Sequence, residues 1–305
     1  MRREFPAALA LAALLIIVAI AAPAFFRASN LADLALNNLP ALVAAAGMTL
    51  VILTGHIDIS VGSQFAICSV TAGLLAKSGV PIVIVILGAA LAGAALGAIN
   101  GTLVARAGIP SIVVTLATMI MLRDALRWVT EGEWVRGLPA SFQWMGLGQS
   151  RGGFALTIVA MIVFAALAWT LRHLTAGRQI YATGSNLEGA RLVGIHTRTV
   201  IASAFMLCGA LTGLAAVLNT MRFAEVQSNA GMGLEMKAIA AVVVGGAAIT
   251  GGRGSMLGTL IGAALLGVAG TALAFLGVNS AWERALQGAI ILAAVATSGV
   301  LRDRR

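Results

Sequence analysis

The sequence predicts an all-α, polytopic membrane protein with about ten transmembrane helices. Of its 305 residues, 60% are hydrophobic and 10% are charged, whereas a soluble domain needs far more charge on its surface. The apolar residues form runs close to the length of one membrane crossing, about 20 residues. No polar stretch is long enough for a separate soluble domain, so residues 1–305 are predicted to form a single transmembrane domain.

Breaks in hydropathy define the individual spans. The breaks fall where glycine, proline and charge collect, as from Arg27 to Pro40 and from Thr130 to Gly153. The predicted spans are 7–25, 40–54, 62–77, 81–105, 110–129, 154–172, 199–220, 237–251, 256–276 and 282–301.

The first span resembles a signal peptide, because Arg2 and Arg3 precede the apolar run from Ala7 to Ala22. More spans follow, which favours an uncleaved first helix. The loop after the sixth span and the C-terminal tail are basic, and basic short loops stay in the cytoplasm. Both termini are therefore predicted to be cytoplasmic.

The longest polar interruption near the middle of the chain is residues 172–199, which carry four arginines against one glutamate, Glu188. This segment is predicted to lie on the cytoplasmic side, between two membrane-embedded halves.

The remaining composition excludes several classes. The net charge of +9 is scattered between apolar runs rather than clustered with aromatic residues, which predicts orientation signals and no nucleic-acid partner. Cys68 and Cys208 lie in apolar runs without metal-ligand spacing. No catalytic motif is present, and GGRGS lacks the lysine of a phosphate-binding loop. The sequence predicts no catalytic residue, metal site or cofactor, so energy for uphill work is predicted to come from another chain.

A weak internal repeat relates Leu87–Leu103 to Leu257–Leu273, with six identities that include Gly88 and Gly97. In the predicted topology these spans cross in opposite directions. The repeat indicates two halves of inverted topology, approximately 1–150 and 151–305, a layout common in transporters.

Two predicted spans, 40–54 and 237–251, are short and end in glycine-rich stretches. Interrupted helices of this kind often line a translocation route. Asp58 or Ser60 can cap the helix that begins near Gly62, although a plain capped turn at the membrane surface is the favoured interpretation of Asp58, and an interfacial loop that of His56. The predicted path or gate residues are Asp58, Ser60, Gly62, Gly245, Gly246, Gly251 and Gly252.

Charged residues gather at the outer end of the fifth span. Asp124 and Arg127 are three positions apart and can pair on one helix face. They indicate either an outer vestibule or docking site for a partner protein, or a solvated helix end. The residues concerned are Arg123, Asp124, Arg127 and Glu131.

Three motifs carry a family resemblance that covers essentially the whole chain. Three segments resemble permeases of bacterial ATP-binding-cassette (ABC) sugar importers of the ribose–xylose–arabinose type: TAGRQIYATGSNLEGARLVGIHT in the central segment, GHIDISVGS after the second span, and VVGGAAITGGRGSMLGT, which begins within the eighth span. Gly189 stands where those permeases usually have alanine, and His56 where they often have glycine.

The resemblance implies the permease fold of the vitamin-B12-importer type (type II) in the bacterial inner membrane. Its implied partners are an ABC ATPase that binds ATP and Mg²⁺, a second permease that is identical or related, a periplasmic binding protein and membrane lipid. It implies that a helix around Ser185 to Val193 docks into the ATPase, where Glu188 and Arg191 pair with each other or reach the partner. The implied coupling residues are Gly184, Ser185, Asn186, Glu188, Ala190, Arg191 and Gly194.

The solute implied by the resemblance is a monosaccharide or sugar-like molecule. The segments 122–139 and 231–246 look most similar to rhamnose and autoinducer-2 permeases, with ribose, xylose or another sugar as the alternative. Outside this class, a secondary carrier requires an ionisable residue at mid-membrane, and Asp58 and Asp124 are predicted at span ends.

Overall fold

The computed structural model describes residues 4–277 and, beyond them, Trp282, Ala285, Gly288 and Ala289. Within these residues, helices occupy nine of the ten predicted spans, and the tenth, 282–301, lies almost entirely outside the described residues. The helices are α1 (Phe5–Ala21), α2 (Ala28–Leu53), α3 (Val61–Lys77), α4 (Ile82–Ala105), α5 (Ser111–Thr130), α6 (Gln149–His173), α7 (Thr175–Ser185), α8 (Leu187–Leu192), α9 (Thr197–Thr220), α10 (Leu234–Val244) and α11 (Met256–Phe275).

Five of these helices, α2, α4, α6, α9 and α11, are long and apolar enough to cross a membrane, and α1 and α3 are shorter apolar helices. Two strands of two residues each, β1 (Val135–Arg136) and β2 (Glu225–Val226), pair antiparallel. The polytopic all-α fold class is therefore confirmed.

The helices have two distinct ends, which we name by what lies there. At the hairpin end, β1 and β2 cover the last turns of α3, where their valines contact Gly73. At the junction end, the turn after α2, the helices α7 and α8, and the turn after α10 meet. α1 and α11 run in the same direction, because Glu4 contacts Ser255 at one end and the Phe25 ring lies 5.6 Å from that of Phe275 at the other.

The closest helix packing is between α4 and α9, which run antiparallel. A Cβ atom added to Gly93 would overlap the carbonyl group of Gly209, and one added to Gly97 would overlap that of Phe205. Lipid tails are as apolar as leucine, so membrane helices associate through such close contacts of small residues. α10 and α11 pack antiparallel in the same way, through Gly245 and Gly258. The aligned glycines of the internal repeat do not all make matching contacts. Gly88 of α4 meets the side chain of Leu75, whereas its counterpart in α11, Gly258, packs against Gly245. The two inverted halves therefore stay a prediction.

The second span is longer than the sequence predicts. The prediction that it begins at Pro40 and is short was wrong, because α2 begins at Ala28 and contains Pro40. Proline has no N–H to donate to the carbonyl four residues earlier, and that carbonyl belongs to Leu36. Arg222, at the end of α9, donates from Nη1 to the Leu36 oxygen at 2.8 Å, and from Nη2 to Oδ1 of Asn37. The arginine supplies the hydrogen bond that proline removes, so the helix continues through it.

The eighth span is short, as predicted, although its predicted range of 237–251 was too long at one end. α10 has 11 residues and ends at Val244, where the glycine-rich turn begins. Such a helix rises about 16 Å, against about 30 Å for the hydrocarbon core of a bilayer. Its first turn lies inside the bundle, because Glu235 contacts Gly62 in the first turn of α3. The chain therefore enters the bundle from the hairpin end before α10 begins.

Because Arg222 supplies the hydrogen-bond donor that Pro40 lacks, substitutions at these two positions should have non-additive effects on stability. Arg222→Met leaves the Leu36 carbonyl without its partner and should destabilise the protein by about 1–3 kcal/mol. In a Pro40→Ala background the alanine N–H bonds that carbonyl, so the same substitution should cost less.

The measurement is the midpoint temperature at which the detergent-purified protein loses its monodisperse chromatographic peak, with Arg127→Met, an exposed arginine, as the control. An equal penalty for Arg222→Met in both backgrounds would show that the arginine does not replace the missing donor.

Candidate coupling junction

The central polar segment forms two short helices. The sequence predicts a helix around Ser185 to Val193, and the structure places α8 there at Leu187–Leu192, with α7 preceding it. Asn186 separates the two helices in an extended conformation, and its side-chain oxygen accepts from the Gly189 N–H at 2.9 Å. Asparagine is a favoured N-cap for this reason. The residue that the sequence predicts to be in the coupling segment therefore defines where α8 begins.

The far end of α8 closes with a glycine turn. Gly194 has a φ of 83°, a conformation that favours glycine, and the next N–H, of Ile195, returns to the carbonyl of Ala190. Arg191 donates from Nε to Oγ1 of Thr197 at 3.0 Å. In the described residues it does not pair with Glu188, because the hydroxyl at the start of α9 is the nearer partner; the alternative that the two residues reach a partner protein stays a prediction.

α8 also exposes apolar side chains that the sequence interpretation did not single out. Leu192 is 88% exposed and Val193 is 76% exposed. Leu192 is the last residue of α8 and Val193 its C-cap, directly after Arg191, so two adjacent large apolar residues beside a charged one were the available signal. Exposed apolar residues rimmed by charge are typical of protein interaction sites.

Behind α8, the end of α7 packs against two other segments, and we call this contact region the junction. It comprises Leu53–Gly55 at the end of α2, Tyr181–Ser185 of α7 and Gly251–Gly254 in the turn after α10. The Gly252 N–H donates to the Leu53 carbonyl at 2.9 Å. A Cβ atom on Gly184 would overlap that carbonyl oxygen and lie 2.6 Å from the Gly252 nitrogen. The structure thus brings together two sets of glycines that the sequence assigned to separate roles.

A tyrosine adds a polar link to the junction. The Tyr181 hydroxyl donates to the carbonyl of Gly254 at 2.9 Å. Burial, followed by the negative charge of Glu4, raises the pKa of Tyr181 above its usual value, so this hydroxyl keeps its proton. Glu4 itself accepts from Ser255, the N-cap of α11. The start of α1 therefore reaches the same region.

The glycines of the turn after α10 are required by its backbone. Gly246, Gly251 and Gly252 have φ values of 93°, 87° and 70°, which other residues rarely adopt. Gly251 also lies against the backbone of Gly55, where a Cβ would be 2.7 Å from its nitrogen. This part of the predicted path or gate is a tight turn that packs against the end of α2.

Asp58 does not lie on the surface of the protein, so the favoured interpretation of it as a plain surface turn was wrong. It is fully buried, and its carboxylate accepts from the N–H and the hydroxyl of Ser60 and from Nε2 of Gln64, the last at 3.0 Å. Asn100 of α4 donates to the Ser60 hydroxyl at 2.8 Å. Ser60 is the N-cap of α3. The sequence predicted that the Asp58 or Ser60 side chain accepts hydrogen bonds from the free amides of this helix, but neither does so. These residues join the start of α3 to α4. His56 is half-buried, with its ring 6.1 Å from that of Phe205.

The charged residues at the hairpin end form a less connected group. Arg123 donates from Nε to the hydroxyl of Ser63 at 3.3 Å, and Glu131 ends α5 with a φ of 52°. Asp124 and Arg127 are both exposed, and in the part of the chain that the structure describes they do not form the predicted ion pair. The ion pair at this end joins Arg136 and Glu225 at 3.9 Å, across the two strands. Among the described residues, no group of three or more histidine, cysteine or acidic side chains is placed to hold a metal ion.

Comparisons with known proteins agree on one family. The model of the family described as "Branched-chain amino acid transport system / permease component" matches residues 30–295. The ribose import permease protein of Escherichia coli strain K12 is 37% identical over 291 residues, which cover 94% of this chain and 91% of that protein. The autoinducer 2 import system permease protein of E. coli strain K12 / DH10B is 34% identical over 261 residues, or 86% of this chain and 76% of that protein. No solved structure matches the chain.

The junction predicts a difference between two glycines of the same segment. Gly184→Ala places a methyl group against the Leu53 carbonyl, and should destabilise the protein by about 1–3 kcal/mol through overpacking. Gly189→Ala, the control, meets the Asn186 side chain at 3.2 Å, a contact that a small shift relieves. Both substitutions gain the same helix propensity, so the difference between them isolates the packing contact.

The readouts are the midpoint temperature in detergent and the rate of tryptic cleavage after Arg178 and Arg191. Gly184→Ala should lower the midpoint and speed cleavage, while Gly189→Ala should leave both near the wild-type values. Equal behaviour of the two variants would contradict the close packing of Gly184.

Proposed function

This chain belongs to the permease-component family of branched-chain amino acid transport systems, and on that premise we propose that it forms the solute pathway of an ATP-driven sugar importer. Its relatives are a ribose import permease and an autoinducer 2 import permease, by their names. The family makes the chain a multi-pass transport subunit. We propose that ATP and Mg²⁺ bind to a partner ATPase, since no phosphate-binding motif occurs in the sequence.

The observation that carries the proposal is the construction of α8. The helix presents Leu192 and Val193 to the outside, while the segment before it packs through Gly184 onto the end of α2 and the turn after α10. Main-chain contacts have little freedom to yield. A displacement of this surface helix by a docked partner is therefore expected to move the end of α2 and the turn after α10 as well. The proposed coupling residues remain Gly184, Ser185, Asn186, Glu188, Ala190, Arg191 and Gly194, and we add Leu192 and Val193.

The two ends of the molecule are assigned to the two sides of the bacterial inner membrane. We place the junction end in the cytoplasm, where the arginines of residues 172–199 favour it, and both termini on the same side. The hairpin end then faces the periplasm and receives a substrate-binding protein. Arg123, Asp124, Arg127 and Glu131 are the proposed contacts there. A second permease, identical or related, completes the pathway in an arrangement of the vitamin-B12-importer type within membrane lipid.

The proposed solute is a neutral monosaccharide or a similar polyhydroxylated molecule. The two relatives named above support ribose-like and autoinducer-2-like solutes. Rhamnose, which the sequence favoured together with autoinducer 2, has no support from either name.

A secondary carrier is the second candidate, and one observation favours it. Asp58 is a buried acidic residue inside the bundle, which is where a carrier needs an ionisable group. Its three hydrogen-bond donors, however, tie it to the start of α3 in a structural network. The family membership supports the importer.

The exposed pair on α8 yields a test of partner docking. Leu192→Asp and Val193→Asp should each weaken co-purification with the ATPase subunit about tenfold or more, because a charge replaces an apolar contact at the centre of an interface. Ile109→Asp is the control, since Ile109 is also exposed, at 38%, in another loop of the junction end.

The same variants should lose ATP-driven uptake in proteoliposomes while the purified permease keeps its thermal midpoint. Undiminished ATPase binding by both variants would refute α8 as the docking helix. Uptake that persists without ATP but requires an ion gradient would instead identify a carrier.

A further inference from the structure

The chain between β2 and α10, residues 227–233, runs into the bundle without forming a helix. At its outer end, Val226 contacts Gly73 in the last turns of α3. At its inner end, Gly231 lies against the first turn of α3, where a Cβ atom on it would be 2.7 Å from the Gly62 oxygen. Gly62 and Gly73 are about 16 Å apart along the axis of α3. The segment therefore descends alongside α3 from the hairpin end.

The first turn of α3 lies near the middle of the bundle. Gln64 is in that turn, and its Oε1 would be 3.0 Å from a Cβ atom on Gly209. Gly209 is at the centre of α9 (Thr197–Thr220), which is long and apolar enough to cross a membrane. Residues level with the centre of such a helix lie near the middle of the membrane. Gly231 therefore reaches this depth, and α10 begins there.

Part of this segment is open rather than packed against protein. Gln227 and Asn229 are exposed. Met232 is 59% exposed, and Met236, in the first turn of α10, is 54% exposed. Lipid offers no hydrogen-bond partner to the N–H and C=O groups of irregular backbone, which is tolerated at membrane depth only inside protein or beside water. An open segment of this kind indicates a water-filled space.

The exposed polar side chains of the segment are two amides. Among the described residues, neither the Gln227 amide nor the Asn229 amide forms a hydrogen bond within the protein. Ser228, between them, is already used, since its hydroxyl donates to the Gly132 carbonyl at 3.2 Å. Each amide offers two donors and an acceptor, and sugar hydroxyl groups both donate and accept. The amides are also uncharged, which suits a neutral solute.

An ionisable residue lies at the inner end of the segment. Glu235 accepts from the Gly233 N–H through Oε1 at 3.3 Å. Its Oε2 is buried against Gly62 and has no hydrogen-bond donor among the described residues. Ionisable residues inside a membrane are costly and mark solute or ion pathways. The carboxyl group of Glu235 is therefore a second observation in favour of a pathway at this place.

From these observations we propose that residues 227–233 line the solute route between the hairpin end and the middle of the membrane. The amides of Gln227 and Asn229 bind hydroxyl groups of a neutral sugar as it passes. The inference rests on the proposed function and adds to it a location and two contacts. α10 then connects the inner end of this route to the junction.

The first test measures water access with a charged methanethiosulfonate reagent in proteoliposomes that contain the permease and its ATPase subunit. The reagent requires a thiolate, which forms in water and not in lipid. Gln227→Cys and Asn229→Cys are the labelled variants. The native Cys68 and Cys208 are buried, so the unsubstituted protein gives the background.

The matched control is Leu91→Cys on α4. Leu91 is 68% exposed, and it is two positions from Gly93, which packs against Gly209 at the centre of α9. It therefore lies at the depth that the inner end of the segment reaches. We expect Asn229→Cys to react at least about tenfold faster than Leu91→Cys, because only its thiolate forms in water, and the transported sugar should slow that reaction.

The second test measures uptake by the complex reconstituted with its binding protein, with radiolabelled D-ribose, L-arabinose, D-xylose and L-rhamnose as probes. Asn229→Leu and Gln227→Met remove the amides at similar size. Each should lower kcat/KM for the transported sugar about three- to tenfold, the effect of one hydrogen bond. Gln149→Met, at an exposed glutamine where α6 begins at the same end, should match the wild type, and so should ATPase assembly.

Equal labelling of Asn229→Cys and Leu91→Cys would overturn the inference, and a disulfide between two copies of Asn229→Cys would show that the second permease covers the segment instead. Equal kcat/KM in the Gln227→Met, Asn229→Leu and Gln149→Met complexes would overturn it as well. A wild-type complex that imports none of the four sugars with ATP, or imports them equally well without it, would overturn the proposed function. The labelling rates are independent of that outcome, because they require no transport.

Discussion

The carbonyl oxygen of Leu53 is the point on which the junction depends. It accepts the Gly252 N–H, and Gly184 lies so close to it that a methyl group does not fit. Three segments far apart in sequence therefore meet at one main-chain atom: the end of α2, the segment before α8 and the turn after α10. A glycine at each approach is what allows the backbones to come together, and a contact between backbones has little freedom to yield.

The short helix α10 connects this contact to the inside of the bundle. One end of α10 runs into the glycine-rich turn of the junction, and the other contacts the first turn of α3 at the inner end of residues 227–233. The rest of the bundle is held by close packing of small residues, most tightly between α4 and α9. Under the proposed function, a displacement at α8 reaches α2 and α10 through the junction, and α9 through the hydrogen bond from Arg191 to Thr197. The proposed route from ATPase to solute follows from which helices touch the junction.

Much of this arrangement was predictable, because hydropathy and glycine placement are local properties. The bounds of α3, α4, α9 and α11 agree with the predicted spans within two residues, and the short α10 was visible as a broken apolar run. The start of α2 was not, since Pro40 is a helix breaker by local rules and its compensation comes from Arg222, which is 186 positions after the Leu36 carbonyl that it binds. The interpretation of Asp58 as a surface turn was wrong for a similar reason. Three hydrogen-bond donors, one of them from Gln64 on the first turn of α3, hold this carboxylate in the interior. The motifs identified the coupling glycines and the path glycines separately, and only the fold shows that Gly184 and Gly252 touch.

The central claim is that the junction transmits ATPase movement to the solute pathway. The most direct measurement is the number of ATP molecules hydrolysed per sugar imported by the reconstituted complex carrying Tyr181→Phe, which removes the hydrogen bond to Gly254 and little else. The account predicts that this ratio rises severalfold while ATPase assembly is unchanged. A ratio equal to that of the wild type would show that the junction is packing without a role in coupling.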